Sequence, residues 1–159
     1  MGEFKPKRTI QSVDLHISAR AASVFPLLCP VREFDWIESW DCDLVYSDSG
    51  VAENNCVFQT DRPGEGKRTW VVSRYEPDRF IEFVIFQQDS VIIKLDIALS
   101  ENEDGTTGMN IRHTMTGLSH NGNRLIDNLP PDYIRKRWEF LARALNHYLK
   151  TGTMLRSSE

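Results

Sequence analysis

Residues 133–152 read YIRKRWEFLARALNHYLKTG, and this stretch decides the architecture of the chain. Ile134, Trp138, Leu141, Leu145 and Tyr148 step by four, three, four and three residues, which draws a single apolar stripe along one long helix. Pro131 suits the first turn of that helix, and Gly152 sits where it should stop. The basic run Arg135-Lys136-Arg137 and its neighbours Glu139, Arg143 and Lys150 fall mainly on the outward side, which predicts a solvated face. A lesser reading has Arg135 or Arg137 meeting an anionic ligand head group. His147 lies opposite the stripe. A shorter helix is predicted over 123–128, and 151–159 reads as a polar, frayed tail.

Everything upstream of this helix alternates with period two. Thr9 to Ser18 places Val13, Leu15 and Ile17 on one face and Asp14 and His16 on the other, the pattern of a half-buried strand. Ala21 to Leu28 reads as a short helix stopped by Pro30, and Val31 to Trp40 as a second short helix or turn. Further strands are predicted over 41–47, 56–60, 68–75, 79–87, 91–99 and 106–118, separated by turn residues. About seven strands at hairpin spacing indicate an antiparallel meander.

Charge parity orients that sheet. Glu82, Lys94, Asp96 and Arg112 share one parity of three consecutive strands, where cross-strand ion pairs face water. The other parity holds Ile81, Phe83 and Ile85, then Val91, Ile93, Leu95 and Ile97, then Ile111, His113 and Met115. That apolar face has to meet the helix stripe. The expected class is therefore α+β: a curved sheet wrapped around a long C-terminal helix, with two short helices after the first strand. One domain is expected, with its core over 9–151 and looser ends at 1–8 and 152–159.

Composition narrows the function. Nineteen Lys and Arg against 23 Asp and Glu give a formal net charge of −4 and an isoelectric point near 5.6. That argues against a general nucleic-acid binder, whose affinity rests on phosphate neutralisation, and against an anionic membrane surface. No apolar run approaches the roughly 20 residues of a spanning helix, so no integral membrane association is expected. The basic opening lacks an apolar stretch behind it, so it does not read as a signal peptide. Cys29, Cys42 and Cys56 are odd in number and lack paired spacing. They read as small buried hydrophobes in a reducing cytoplasm, with no metal site and no cofactor expected.

With these elements in place the sequence resembles the helix-grip, START-like superfamily. That group includes START lipid-transfer domains, birch-pollen-allergen-like proteins, polyketide cyclases and chaperone-ATPase-activator homologues. The resemblance rests on the strand ending His16-Ile17-Ser18, the segment Ala22-Ser23-Val24-Phe25-Pro26-Leu27-Leu28, the Trp36/Trp40 region, the meander and the closing helix. It covers roughly 9–151 and is nearest to small bacterial single-domain members. It implies a cavity between sheet and long helix that takes an apolar or amphipathic ligand. It implies no particular reaction, since function belongs to the site.

Candidate site residues follow from side-chain type and parity. Trp36, Trp40, Phe58, Phe83, Tyr133 and Trp138 can line an apolar pocket, together with Met115 and Leu141, or can simply fill the core. His113 shares the inward parity and can orient a ligand polar group or relay a proton, with Tyr133 as a second candidate relay. Its plainer reading is a hydrogen-bonded core histidine. Trp70 shares parity with Arg74 and is expected on the outer face with Val72, Val84 and Phe86, an apolar set of the kind a homodimer or partner surface uses. His16 reads as solvent-facing and His120 as part of a Ser119–Gly122 turn. Glu33, Asp35, Glu38, Asp41 and Asp43 read as a solvated acidic face. Gly64-Glu65-Gly66-Lys67 lacks the phosphate-loop pattern and reads as a glycine turn, with a secondary reading as a hairpin tip gating the cavity mouth. Three functions are carried forward: a binding protein for a lipid, polyketide or aromatic molecule, a polyketide cyclase/dehydratase-like enzyme, and an interaction module.

Overall fold

The computed structural model describes residues 3–157. The strands are β1 (Arg8–Ile17), β2 (Asp43–Tyr46), β3 (Val57–Arg62), β4 (Gly66–Glu76), β5 (Phe80–Gln87), β6 (Val91–Glu101) and β7 (Thr107–Gly117). They form one antiparallel sheet in the order β1-β7-β6-β5-β4-β3-β2. The helices are α1 (Ala21–Val24), α2 (Pro30–Glu33), α3 (His120–Asn128) and α4 (Tyr133–Thr151), with a 3-10 turn over Phe25–Leu28. This is the helix-grip arrangement: a curved sheet closed on one side by α4.

The register carries the inward parity across the sheet. Phe83, Leu95 and His113 are consecutive partners, as are Ile85, Ile93 and Met115. On the other face Glu82 meets Asp96, and Lys94 lies 3.3 Å from Glu82. The helix α4 buries Ile134, Trp138, Leu141, Ala142, Ala144 and Leu145 against this sheet. Each large side chain so buried contributes roughly 1.5–3 kcal/mol.

The ends of α4 are fixed by different means. Gly152 takes φ 72° and donates its N–H to Tyr148 O at 2.7 Å, satisfying a terminal carbonyl from a left-handed conformation. At the other end Asp132 gives no side-chain cap. The N–H of Ile134 donates instead to Gln11 Oε1 of β1 at 3.2 Å, so a strand residue satisfies an orphan helix donor. Pro131 precedes the helix rather than entering its first turn.

Other boundaries depart from the sequence reading. The segment 21–28 splits into α1 and a 3-10 turn, because Pro26 has no N–H to continue the helical ladder. Pro30 starts α2 instead of merely ending what precedes it. Ser119 caps α3 by accepting from Gly122 N at 3.1 Å, so His120 opens a helix rather than sitting in a turn. The helix predicted over 123–128 thus begins three residues earlier, at His120.

Trp70 and Val72 require the largest correction. The β4–β5 register shifts between Val72 and Arg74, so Ser73 forms a bulge and the parity of β4 reverses there. Val72 is fully buried and Trp70 packs against the core, while Tyr75 resumes the inward face beyond the bulge. Val84 and Phe86 do lie on the outer parity, Phe86 being exposed.

At the chain ends, Asn123 ties down the segment before β1. Its side chain accepts from Lys7 N at 2.9 Å and donates to Lys5 O at 2.9 Å. Leu155 packs against the core and Ser157 N donates to Glu38 Oε2 at 2.9 Å. Of the expected loose ends, residues 1–2 and 158–159 lie outside the described residues. Among the described residues no helix is long and apolar enough to cross a membrane.

Candidate functional site

Between the concave sheet and α4 the packing leaves a cavity of about 320 Å³. Its inner wall is Phe83, Ile85, Ile93, Leu95 and Met115 from the sheet, opposed by Ile134, Trp138 and Leu141. Its mouth is ringed by Gly64 and Glu65 of the β3–β4 hairpin, by Leu125, Asn128, Leu129 and Pro130, and by Tyr133 and Arg137 at the start of α4. A mostly apolar concavity with a few placed polar groups is what small-molecule sites have in common.

The structure brings Trp40, Phe58, Phe83, His113, Met115, Tyr133, Trp138 and Leu141 together on this cavity. Trp36 stands apart: it is fully buried in the core, its indole N–H donating to Leu27 O at 2.8 Å. Trp70 joins the wall because of the bulge. Its ring stacks on Phe58 at 5.1 Å and meets Phe83 edge-on at 5.7 Å, and its N–H donates to Thr60 Oγ1 at 2.9 Å. Trp40 meets Trp70 edge-on and donates to Pro30 O at 2.8 Å. Both indoles are thereby fixed by hydrogen bonds within the protein.

His113 is held from across the cavity. Trp138 Nε1 donates to His113 Nε2 at 3.1 Å. An indole N–H can only donate, so Nε2 carries the lone pair and the proton sits on Nδ1. Nδ1 has no hydrogen-bond partner among the described residues. Burial is the main reason that His113 is lowered to about 4, and the charges of Arg137 and then Arg68 add to it. The ring is neutral across physiological pH. Tyr133 is more than a third exposed at the mouth, and its hydroxyl makes no hydrogen bond among the described residues.

The charged lining was largely missed by the sequence reading. Glu33 lines the cavity instead of joining a solvated face. Desolvation pushes its carboxyl from 4.5 up to about 8 despite the opposing pull of Arg137 and Arg62. Arg62, Arg68 and Arg137 converge on the mouth from β3, β4 and α4. Arg68 is paired, lying 3.4 Å from Glu65 and donating to Gln87 Oε1 at 3.0 Å. Arg137 is largely buried, and among the described residues its guanidinium makes no ion pair and no hydrogen bond. A signal for Arg137 was present in the helix stripe, since it lies three residues after Ile134 and four before Leu141. The inward position of Glu33 had no comparable signal, because α2 is a single turn.

The remaining candidates lie elsewhere. His16 and His120 are exposed, and His120 packs edge-on against Phe4. His147 lies near Thr153 on the outside of α4. Cys29 and Cys56 are buried, whereas Cys42 is only partly so. Burial pushes the Cys42 thiol up to about 11, which disfavours the nucleophilic thiolate. Among the described residues no three His, Cys, Asp or Glu side chains are grouped to hold a metal.

No family model matches the chain, and no curated protein matches its sequence. Solved structures do match its shape. A protein of unknown function, SA2116 from Staphylococcus aureus, superposes with a TM-score of 0.69 at 10% identity, over 93% of this chain and 97% of that one. Ara h 8.0201 superposes with a TM-score of 0.64 at 11% identity, over 91% and 97%. CalU16 from Micromonospora echinospora gives 0.59 at 13% identity, over 91% and 83%. At these identities the likeness establishes the helix-grip fold and leaves the chemistry to the site.

Proposed function

We propose that this chain is a small-molecule binding protein, holding an apolar or amphipathic ligand of lipid, polyketide or aromatic type between its sheet and α4. One observation carries the reading: the cavity of about 320 Å³ stays open although the side chains around it are large and well packed. Close-packed cores hold few voids of this size, since empty space forfeits contact energy, and a dry apolar void readily takes an apolar guest. The aromatic wall of Phe58, Trp70 and Phe83 offers stacking surface with its polar atoms already satisfied.

A cyclase/dehydratase-like enzyme would use His113 or Tyr133 as a proton relay. The neutral ring of His113, engaged at Nε2 by Trp138, supports a positioning role over acid catalysis. An interaction module would use the outer face around Phe86 and leave the cavity idle.

Native mass spectrometry of the purified chain, followed by solvent extraction, tests the reading. A discrete added mass lost on denaturation is expected, and lost also in Ile93→Trp, whose indole fills the cavity. An apo mass across preparations, with no thermal shift from any apolar probe that Ile93→Trp abolishes, overturns it. Turnover of an extracted ligand that His113→Ala stops while binding persists would establish the enzyme instead. The same spectrum reads whether the chain is a homodimer.

A further inference from the structure

Arg137 is a guanidinium that forms no ion pair among the described residues, at the charged mouth of a mostly apolar site. It sits one residue before Trp138 on α4, is largely buried, and has no ion-pair or hydrogen-bond partner among the described residues. Arg62, at the end of β3, also makes no ion pair or side-chain hydrogen bond among the described residues. Glu65 is the carboxylate whose charge acts on Arg137, and it is already engaged by Arg68 at 3.4 Å. The one other carboxyl in the lining, Glu33, holds its proton up to about pH 8 and so adds no negative charge at neutrality. Counting these groups, three guanidinium charges face one carboxylate, an excess of two positive charges at the mouth.

Burying a charge without a partner is costly, and like charges crowded together add to that cost. Both effects are visible in Arg137, whose basicity is lowered first by burial and next by Arg62, with Glu65 opposing but not reversing them. The arrangement is relieved by an anion arriving with the ligand. A guanidinium fork offers paired N–H donors that match a planar carboxylate. The apolar lining below, from Ile134 to Leu141 and across to Ile93, accepts a hydrocarbon body.

Building on the binding reading above, we infer that the ligand is an amphipathic monocarboxylate, its apolar body in the cavity and its carboxylate on Arg137 at the mouth, with Arg62 in support. The cavity lies at the small end of ligand sites, which fits a medium-length chain or a two-ring aromatic acid. The neutral Glu33 carboxyl can donate a hydrogen bond to that carboxylate, and the Tyr133 hydroxyl at the rim is a further donor. Arg68 serves as a structural member, held by Glu65 and Gln87.

The test compares dodecanoate, dodecanol, dodecylamine and dodecyl phosphate by calorimetry at fixed salt, on the wild type, Arg137→Gln and Ile93→Trp. Dodecanoate is expected to bind the wild type at least about tenfold more tightly than dodecanol, the gain of a charged hydrogen bond. Arg137→Gln removes that preference while leaving dodecanol affinity unchanged, and Ile93→Trp abolishes binding of both. Arg137→Gln retains the fold, checked by circular dichroism, because it deletes an unpaired buried charge. If it unfolds, Arg62→Gln must instead weaken dodecanoate several-fold and leave dodecanol alone. Equal binding of dodecanol and dodecanoate overturns the anion inference while the cavity reading stands. Tighter binding of dodecylamine overturns it as well, and dodecyl phosphate exceeding dodecanoate tenfold overturns the choice of carboxylate. Failure of all four ligands on the folded wild type removes the binding reading and this inference with it.

Discussion

Trp138 on α4 donates its indole N–H to His113 Nε2 on β7 at 3.1 Å, so the helix and the sheet are joined by a polar bond through an otherwise apolar core. The bond selects one tautomer, while burial, aided by the charges of Arg137 and Arg68, keeps the ring uncharged. A nitrogen-detected NMR titration should find the proton on Nδ1 and a midpoint near 4. Trp138→Phe removes a donor that favours the neutral ring, so His113 should then titrate about one pH unit higher. A midpoint near 6.5 in the wild type would show that the ring is neither buried nor bonded as described.

The same shift makes stability depend on pH. In the unfolded chain a histidine takes its proton near 6.5, while the folded one resists until about 4. Stability contributed by the neutral ring is therefore present above 6.5, is lost as pH falls from 6.5 to 4, and is constant below. His113→Gln should erase this limb, gaining at most about 3 kcal/mol relative to wild type at pH 4. Urea unfolding at several pH values measures it.

Glu33 acts in the opposite direction. Its carboxyl is raised from 4.5 to about 8, desolvation outweighing the attraction of Arg137 and Arg62. A raised carboxyl favours the folded state below 4.5 and loses that advantage as pH rises from 4.5 to 8. Glu33→Gln copies the neutral acid, so its stability relative to wild type should grow by about 2–4 kcal/mol between pH 4 and pH 9. Between 6.5 and 8 the Glu33 limb acts without the His113 limb, and there the two variants separate most clearly. A constant difference between Glu33→Gln and wild type across that window would show that the carboxylate is solvated.

Trp70 is placed by one bulged residue. Stacked on Phe58 and bonded to Thr60, it should cost about 2–3 kcal/mol when replaced by Ala, whereas Phe86→Ala on the opposite face should cost less than about 1. Denaturant midpoints of the two variants decide it. Near-equal losses would return Trp70 to the outer surface.

The contrast explains what the sequence could disclose. Along β5, β6 and β7 the alternation is unbroken, so Phe83, Leu95 and His113 could be set on one face from parity alone, and the stripe on α4 named its counterpart. In β4 the apolar positions 70, 72 and 75 carry the bulge as a step of three, which simple alternation reads as noise. The charged mouth was harder still. Glu33, Arg62 and Glu65 sit on a one-turn helix, a strand end and a hairpin, where no periodicity assigns a direction. Arg68 and Arg137 lay on periodic elements, but the bulge hid the facing of the first, and the charge of the second left its inward position, three residues after Ile134, as the lesser reading.

The sharpest stability test concerns Gly122. It lies inside α3, where replacing Gly by Ala at a solvated site would stabilise the helix by about 1 kcal/mol. Here a Cβ would run into the Ser90 carbonyl oxygen, which is backbone and cannot move aside cheaply. That carbonyl already accepts from Leu118 N at 2.7 Å, which fixes the hairpin against the end of β7. Gly122→Ala should therefore destabilise by about 2 kcal/mol or more, opposite in sign to the propensity effect. Because Leu125, Asn128 and Leu129 rim the cavity, displacing α3 should also speed ligand release. Urea unfolding and a stopped-flow displacement measurement give both numbers. A more stable Gly122→Ala with unchanged release would show that α3 does not rest on Ser90 and takes no part in closing the mouth.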